Sequence, residues 1–186
     1  MRKILKSGAL PVTIGGDHGI PIPIFRALEE LDPDGGQITL IQVDAHIDWR
    51  NERNGVHDGL SSPIRRASEL DHIGDIFQIG MRAQGSARPE EVEAAAAYGA
   101  NIITSFEVQQ LGIQSILDRI PDKGRYYITI DADGLDPSIC PAVETPCPGG
   151  LSYFQVRDLI HGLVRKGRVV GMDIVEICPE LDLNDL

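Results

Sequence analysis

The sequence predicts an α/β fold built on a mainly parallel sheet, and two observations carry that prediction. Short runs rich in Val and Ile alternate with helical patterns along the whole chain. Most of these runs are apolar at both odd and even positions, which is typical of strands that are buried on both faces. Because alternating strands and helices are typical of parallel sheets with right-handed crossovers, we expect one domain over residues 1–186.

Six segments are predicted as strands because each is short, mostly apolar and rich in β-branched residues. They are residues 10–16, 38–45, 76–82, 101–104, 126–133 and 168–176. Helical patterns lie between them, at residues 20–31, 61–70, 88–98, 105–119 and 152–166. The last helix has the clearest ends, with Ser152 as a plausible N-cap and Gly167 as the stop.

Both ends of the sequence are unusual for such a fold. The chain begins at Met1 inside a helical pattern, and it ends in "PELDLNDL" directly after the last predicted strand. We therefore expect the domain to lack one or more N-terminal strands and a C-terminal helix.

Composition excludes several classes of partner. The net charge of −11 argues against binding to nucleic acid or to an anionic membrane surface, which both need a basic face. No apolar run is long enough to span a bilayer, and no signal peptide opens the sequence. The three cysteines form no CxxC pair, which suggests reduced thiols and a cytoplasmic location.

Acidic and imidazole residues follow four of the predicted strands. They are Asp17 and His18, then Asp44, His46 and Asp48, then Asp131, Asp133 and Asp136, and finally Asp173 and Glu176. A parallel sheet collects such residues along the edge formed by the carboxyl ends of its strands. Single members have ordinary explanations: Asp17 and Asp136 suit turns or helix caps, and His72 and His161 suit structural or surface positions.

The clustered set indicates a metal site. Carboxylates crowded at two strand ends would repel one another unless a cation lay among them. Four Asp and two His form an oxygen-rich set without thiolate, which suits Mn²⁺ better than structural zinc and leaves Co²⁺, Ni²⁺ and Zn²⁺ open. Six ligands are too many for one catalytic ion with open positions, so we expect two ions about 3.5–4 Å apart.

Five sequence motifs resemble those of the ureohydrolase family of arginases, agmatinases and guanidino-acid hydrolases. They are "GGDH", "DAHID", "DADGLDP", "TPCPGGLS" and "DIVEICPELD", in that order along nearly the whole chain. The resemblance implies a three-layer α/β/α sandwich with a binuclear manganese site, assembled into trimers or hexamers. It also implies hydrolysis of a guanidinium carbon to release urea, and the likeness is to agmatinases in particular.

Matched motif by motif, the resemblance implies roles for individual residues. The metal ligands would be His18, Asp44, His46, Asp48, Asp131 and Asp133. A metal-bridging hydroxide would attack the substrate, Asp48 would receive a proton, and Glu176 would hold the guanidinium through two parallel hydrogen bonds. Thr145 would line the pocket.

Besides its ends, the sequence departs from the family's pattern at the shuttle histidine and in the segment before "TP", and Arg50 bears on the choice of substrate. The proton-shuttling histidine of the family aligns with Leu60, so His57 is the candidate general acid although it is displaced by a few residues. "AVETP" places Glu144 in a substrate-facing loop, where it would favour a cationic substrate end. Arg50 follows the DAHID motif and could instead pair with a substrate carboxylate.

These opposing charges leave the substrate open between agmatine, a guanidino acid such as 4-guanidinobutanoate, and arginine. Two other classes of function also stay open. One is a deacetylase on a related fold, which would use a single zinc ion. The other is a catalytically inactive fragment or binding module stabilised by metal.

Overall fold

The computed structural model describes residues 2–31, 35–83 and 85–182. Its six strands are β1 (Val12–Ile14), β2 (Ile38–Val43), β3 (Ile73–Met81), β4 (Asn101–Thr104), β5 (Arg125–Asp131) and β6 (Arg168–Val175). They form a sheet in the order β1-β6-β5-β2-β3-β4, and every neighbouring pair is parallel. The predicted α/β class with a parallel sheet is therefore confirmed.

The helices lie on both faces of this sheet. They are α1 (Arg2–Lys6), α2 (Pro21–Leu31), α3 (Pro63–Ala67), α4 (Pro89–Tyr98), α5 (Ser105–Leu117) and α6 (Tyr153–Lys166), with short 3₁₀ turns at Ala132–Gly134 and Pro179–Leu181. One apolar core packs α5 and α6 against one face, and a second core packs α2, α3 and α4 against the other. Alternate residues of β2 serve the two cores: Ile41 and Val43 face the first, and Ile38 and Leu40 face the second. This is a three-layer α/β/α arrangement.

The predicted elements are all present, and their ends differ where local chemistry intervenes. Ser152 caps α6 by accepting a hydrogen bond from the backbone N–H of Gln155, as predicted, and the helix stops before Gly167. The strand predicted at residues 10–16 is shorter, because Pro11 lacks an N–H and Gly15 leaves the strand at φ 95°. The helix predicted at residues 61–70 is reduced to the single turn of α3.

The strand order decides where the functional candidates meet. Four strands that carry them, β1, β6, β5 and β2, are neighbours in the sheet and point the same way. Their carboxyl ends therefore open onto one shared edge. Among the described residues, no helix combines the length and the apolar character needed to cross a membrane.

Candidate metal centre

Short carboxylate turns shape the chain where β2 and β5 end. Asp44 Oδ1 accepts a hydrogen bond of 2.6 Å from the backbone N–H of His46, and Asp131 Oδ1 accepts one of 2.8 Å from that of Asp133. An Asp side chain that bonds the backbone two residues on makes a tight local turn. Both D-x-H and D-x-D segments thus turn their acidic side chains inward over the sheet edge. Gly134 allows the two turns to meet, since a Cβ there would lie 2.7 Å from the Asp44 nitrogen.

Asp44 is shared between two groups of possible metal ligands. Its Oδ2 lies 3.2 Å from His18 Nδ1, and its Oδ1 lies 3.4 Å from His46 Nδ1. Asp131 completes the first group, and Asp133 completes the second; within each group the ligand atoms lie within 4.8 Å of one another. A carboxylate that presents one oxygen to each group has the geometry needed to bridge two cations.

The surroundings of His18 test whether a cation fits. Its Nδ1 lies 3.0 Å from Asp48 Oδ2 and 3.2 Å from Asp131 Oδ2, in addition to Asp44, yet it makes no hydrogen bond with acceptable geometry. On the other side of the ring, Nε2 lies 2.9 Å from Thr129 Oγ1. Thr129 donates its own proton to Asp173 Oδ1 at 2.7 Å, so its oxygen accepts from Nε2–H.

With Nε2–H bonded to Thr129, His18 directs its Nδ1 at three carboxylates. Burial alone would lower the pKa of His18, but the three carboxylates raise it well above its usual value. The site therefore requires a positive charge between Nδ1 and the carboxylates, which either a proton or a bound cation supplies. The donor set of imidazole nitrogens and carboxylate oxygens is also suitable for divalent ions of the Mn²⁺ type. The residues present therefore fit a metal.

The acid–base properties of the cluster agree with this fit. Asp133 and Asp44 outweigh the effect of burial and raise the pKa of His46 to about 11. Burial, together with the negative charge of Asp44, raises the pKa of Asp48 to about 6 and that of Asp131 well above its usual value. Without metal, protons must offset the crowded negative charge; cations bound to the same atoms would release them.

A series of buried side-chain hydrogen bonds, which the sequence analysis missed, ends at Asp44 and holds its carboxylate in place. Gln42 Nε2 donates to Asp44 Oδ2 at 2.7 Å, Gln78 Nε2 donates to Gln42 Oε1 at 2.5 Å, and Trp49 Nε1 donates to Gln78 Oε1 at 2.8 Å. The signal was a glutamine inside each of two apolar strands, "ITLIQV" and "IFQIGM". A fully buried amide requires partners, so each glutamine implied a polar neighbour.

A cavity of about 260 Å³ opens beside the cluster. It is lined by His46, Ile47, Asp48, Arg50, Arg53, Leu60, Ser61, Ser86, Ala87, Glu91, Asp131, Asp133, Glu144, Thr145 and Glu176. Its size suits a small molecule. The structure thus brings five of the acidic candidates, together with His46, Thr145 and Arg50, to one cavity.

Glu176 and Thr145 reach the cavity from two different loops. Glu176 Oε1 accepts a 2.7 Å hydrogen bond from the backbone N–H of His18, which leaves Oε2 without a hydrogen bond from the described residues. Burial, with a smaller contribution from Asp17 and Glu144, raises the pKa of Glu176. Thr145 Oγ1 donates to Asp133 Oδ2 at 2.8 Å and so ties the loop to the cluster.

Arg50 lines the cavity but is already paired. Its Nε lies 2.8 Å from Glu91 Oε1, and its Nη2 donates to the Ser86 carbonyl at 3.2 Å. Both members of the ion pair are largely buried, with 15% of the Arg50 side chain and 6% of the Glu91 side chain exposed. The sequence analysis considered a substrate carboxylate as the partner of Arg50, and in the structure the partner is Glu91.

Among the predicted site residues, His18 and Asp44 lie in the metal-ligand groups behind the cavity lining, whereas His57 reaches neither the cluster nor the cavity. It is exposed, and its Nδ1 lies 3.1 Å from the Asn51 carbonyl. A tight turn through Asn54 and Gly55, both at positive φ, directs the segment outward, and Leu60 lines the cavity instead. In this conformation His57 does not reach the site, and its predicted proton transfer stays a prediction.

Two of the cavity carboxylates have an unusual backbone. Asp48 has φ 54° and Glu176 has φ 60°, in the left-handed region that non-glycine residues seldom adopt.

Asp17 and Asp136 act as turn residues, as the sequence analysis expected. Each accepts hydrogen bonds from backbone N–H groups close to it in space.

Comparison with known proteins agrees with the motifs. The Arginase family profile matches residues 1–185. The chain is 37% identical to an N(1)-aminopropylagmatine ureohydrolase of Thermus thermophilus, covering 95% of this chain and 58% of that protein. It is 33% identical to a guanidinobutyrase of Pseudomonas aeruginosa, covering 97% of this chain and 56% of that one.

A solved structure shows the same fold. The agmatine ureohydrolase of Thermoplasma volcanium superposes with a TM-score of 0.82 at 37% identity, covering 98% of this chain and 59% of that chain. The chain therefore spans a little over half the length of these relatives. With a profile match from end to end and a shared fold, the chain belongs to the arginase family.

Proposed function

We propose that the chain forms the metal-binding part of a hydrolase that converts a linear guanidino compound into urea and an amine. One observation carries the proposal: Asp44 presents one oxygen to each of two groups of possible metal ligands beside a small cavity. The names of the relatives, which include an aminopropylagmatine ureohydrolase and a guanidinobutyrase, support the reaction class.

We assign the metal-binding role to the six residues predicted from the motifs. They are His18, Asp44, His46, Asp48, Asp131 and Asp133, holding two Mn²⁺ ions. When bound, the ions supply Lewis acidity and a water that loses its proton near neutral pH. Thr129 and Gln42 support the ligands His18 and Asp44 from the side away from the cavity.

The chain's own residues bind and orient the substrate. Glu176 offers Oε2 to the guanidinium, while its Oε1 is held by the His18 backbone N–H. Asp48 accepts a proton during the reaction. Thr145 holds Asp133 and closes one wall of the cavity.

We propose an agmatine-like substrate, with a positive charge at the end remote from the guanidinium. Glu144 lines the cavity, and its side chain makes no hydrogen bond or ion pair with the described residues. Arg50, the residue that could have selected a carboxylate, is neutralised by Glu91. The cavity therefore offers a carboxylate to a distal ammonium group.

Arg53 favours a second candidate, a guanidino acid. It also lines the cavity, and no side-chain partner for it occurs among residues 2–31, 35–83 and 85–182. An unpaired guanidinium there could bind a substrate carboxylate.

The test is urea release after Mn²⁺ loading, with agmatine, arginine and 4-guanidinobutanoate as substrates. We expect about two metal ions per chain and the highest kcat/KM for agmatine. Arg53→Ala separates the candidates, because it should selectively weaken the guanidino acid by about 1.5–3 kcal/mol if Arg53 reads a carboxylate. Arg50→Ala should lower kcat/KM for all three substrates alike.

Three results would contradict the proposal. Two bound ions without urea release from any guanidino compound would indicate a binding module. One zinc ion with release of acetate from acetylated amines would indicate a deacetylase. No bound metal would remove the binuclear site.

A further inference from the structure

Arg82, which directly follows β3, joins several segments of the chain beside the candidate metal centre. Its guanidinium donates to backbone oxygens on three separate parts of the chain. The acceptors are the carbonyls of Gly80, Asp133, Gly134, Leu135, Cys147 and Pro148, at 2.6–3.3 Å. No carboxylate accepts from it among the described residues.

The shortest of these bonds join two functional segments. Nη2 donates to the Asp133 carbonyl at 2.6 Å and to the Cys147 carbonyl at 2.6 Å, and Nε also donates to Cys147, at 3.0 Å. Asp133 belongs to the candidate metal centre. Cys147 belongs to the segment of residues 141–150, which we call the rim loop and which carries Glu144 and Thr145.

The rim loop has few other anchors. It lies outside helices and strands, so its carbonyls lack the partners that regular structure provides. The Cys178 N–H holds its start at Ala142 O, 2.8 Å away, and Asp136 Oδ2 holds its end through the Gly149 N–H, also at 2.8 Å. Between these points lie the exposed residues Glu144 and Thr145. The Thr145 hydroxyl is tied to Asp133, whereas the Glu144 side chain makes no hydrogen bond with the described residues.

We propose that Arg82 is a positioning residue that places the rim loop, and with it Glu144, at a fixed distance from the metal centre. A planar guanidinium can donate to several carbonyls in different directions, whereas the three donors of a lysine radiate from one nitrogen. The backbone N–H of Arg82 also bonds the Ala45 carbonyl at 3.1 Å, which fixes Arg82 itself to the turn between Asp44 and His46. This inference rests on the proposed function for its kinetic consequence, and its structural consequence is independent of that function.

The test compares Arg82→Lys with the wild type in the Mn²⁺-loaded chain. We expect KM for agmatine to rise by about tenfold or more, with kcat within threefold and the metal content unchanged, because Asp133 keeps its side chain. Hydrogen exchange should accelerate by about tenfold at the amides that hold the rim loop in place, which are Gly149 N–H on Asp136 and Cys178 N–H on the Ala142 carbonyl. Arg157→Lys makes the same chemical change on the exposed face of α6 and should alter none of these values.

Different outcomes separate the possible failures. Unchanged KM and unchanged exchange in the rim loop would overturn the inference. A fall in kcat and melting temperature at constant KM would also overturn it, by showing that Arg82 only stabilises the fold. If the wild type hydrolyses no guanidino compound, the proposed function fails, and the exchange rates alone then support or overturn the placement of the rim loop.

Discussion

The cavity is bounded by two regions that the chain holds in different ways. On one side, Asp44 and Asp131 leave the ends of β2 and β5, both largely buried and with hydrogen-bonded carboxylates. On the other side, residues 51–60 are almost all exposed and lie outside the helices and strands. They are held by a small backbone bridge between Arg53 and Val56 and by side-chain contacts such as the Arg26–Asp58 ion pair. In the first region the sheet register positions the side chains, whereas in the second a turn and exposed side-chain contacts do.

This difference explains why the sequence locates site residues at strand ends better than site residues in exposed turns. A residue at a strand end is located once the strand and its neighbours are known, because parallel strands end together. A residue such as His57 depends on turn conformation, and a shift of a few positions moves it from the cavity to solvent. The two regions should therefore respond very differently to substitution.

The largest effect is expected where the two ligand groups meet. Asp44→Asn removes a charge from both groups, so we expect metal affinity to fall by at least about 100-fold, since even outer partners of metal ligands contribute 10–100-fold. Urea release should be lost with the metal. Metal counts after dialysis measure this, with the exposed Asp71→Asn as control; two ions retained by Asp44→Asn would contradict the bridging role.

A smaller effect is expected at Thr129, which hydrogen-bonds the ligand His18 without being a ligand itself. Thr129→Val leaves His18 Nε2 without its partner, so we expect Mn²⁺ affinity to fall by about 10–100-fold, as for other outer partners of histidine ligands. Competition with a chelator gives the affinity. Thr39→Val is the matched control, a buried threonine at the other end of the strand that leads to Asp44. Equal affinities in the two variants would show that Thr129 does not orient His18.

The rim loop should show a modest effect that depends on pH. The Ser138 side chain and backbone N–H, followed by the Gly149 N–H, lower the pKa of Asp136 to about 2. Its stabilising contribution is therefore full above the unfolded pKa of about 3.9 and is lost as pH falls towards 2. We expect Asp136→Asn to lower the melting temperature by about 2–4 °C at pH 7 and by less at pH 3. A difference that grows on acidification would contradict this assignment.

The smallest effect is expected in the exposed region. The sequence reading of His57 as general acid predicts that His57→Ala lowers kcat by about 10²–10⁴-fold. Its exposed position outside the cavity leads us to expect a change below threefold at constant metal content. A loss of 100-fold or more would mean that the segment around His57 closes over the substrate.

Periodicity was enough for the six strands and the five principal helices, because buried strands and amphipathic helices have distinct apolar patterns. The motifs were enough to name the residues that converge at the strand ends. Arg82 and Glu91 could not be named, since their partners are a set of backbone carbonyls and an arginine 41 positions away. Such partners are defined by the folded path of the chain and leave no pattern in the sequence.

The left-handed backbone of Asp48 and Glu176 creates a conflict between low backbone strain and activity at these two positions. A side chain in this region costs about 1–2 kcal/mol relative to glycine, so glycine at either position would relieve that backbone strain. The same change would remove a carboxylate from the cavity. Selection for lower backbone strain would therefore favour glycine at the two positions where selection for activity must keep an acid, and the two selections would first give different sequences there.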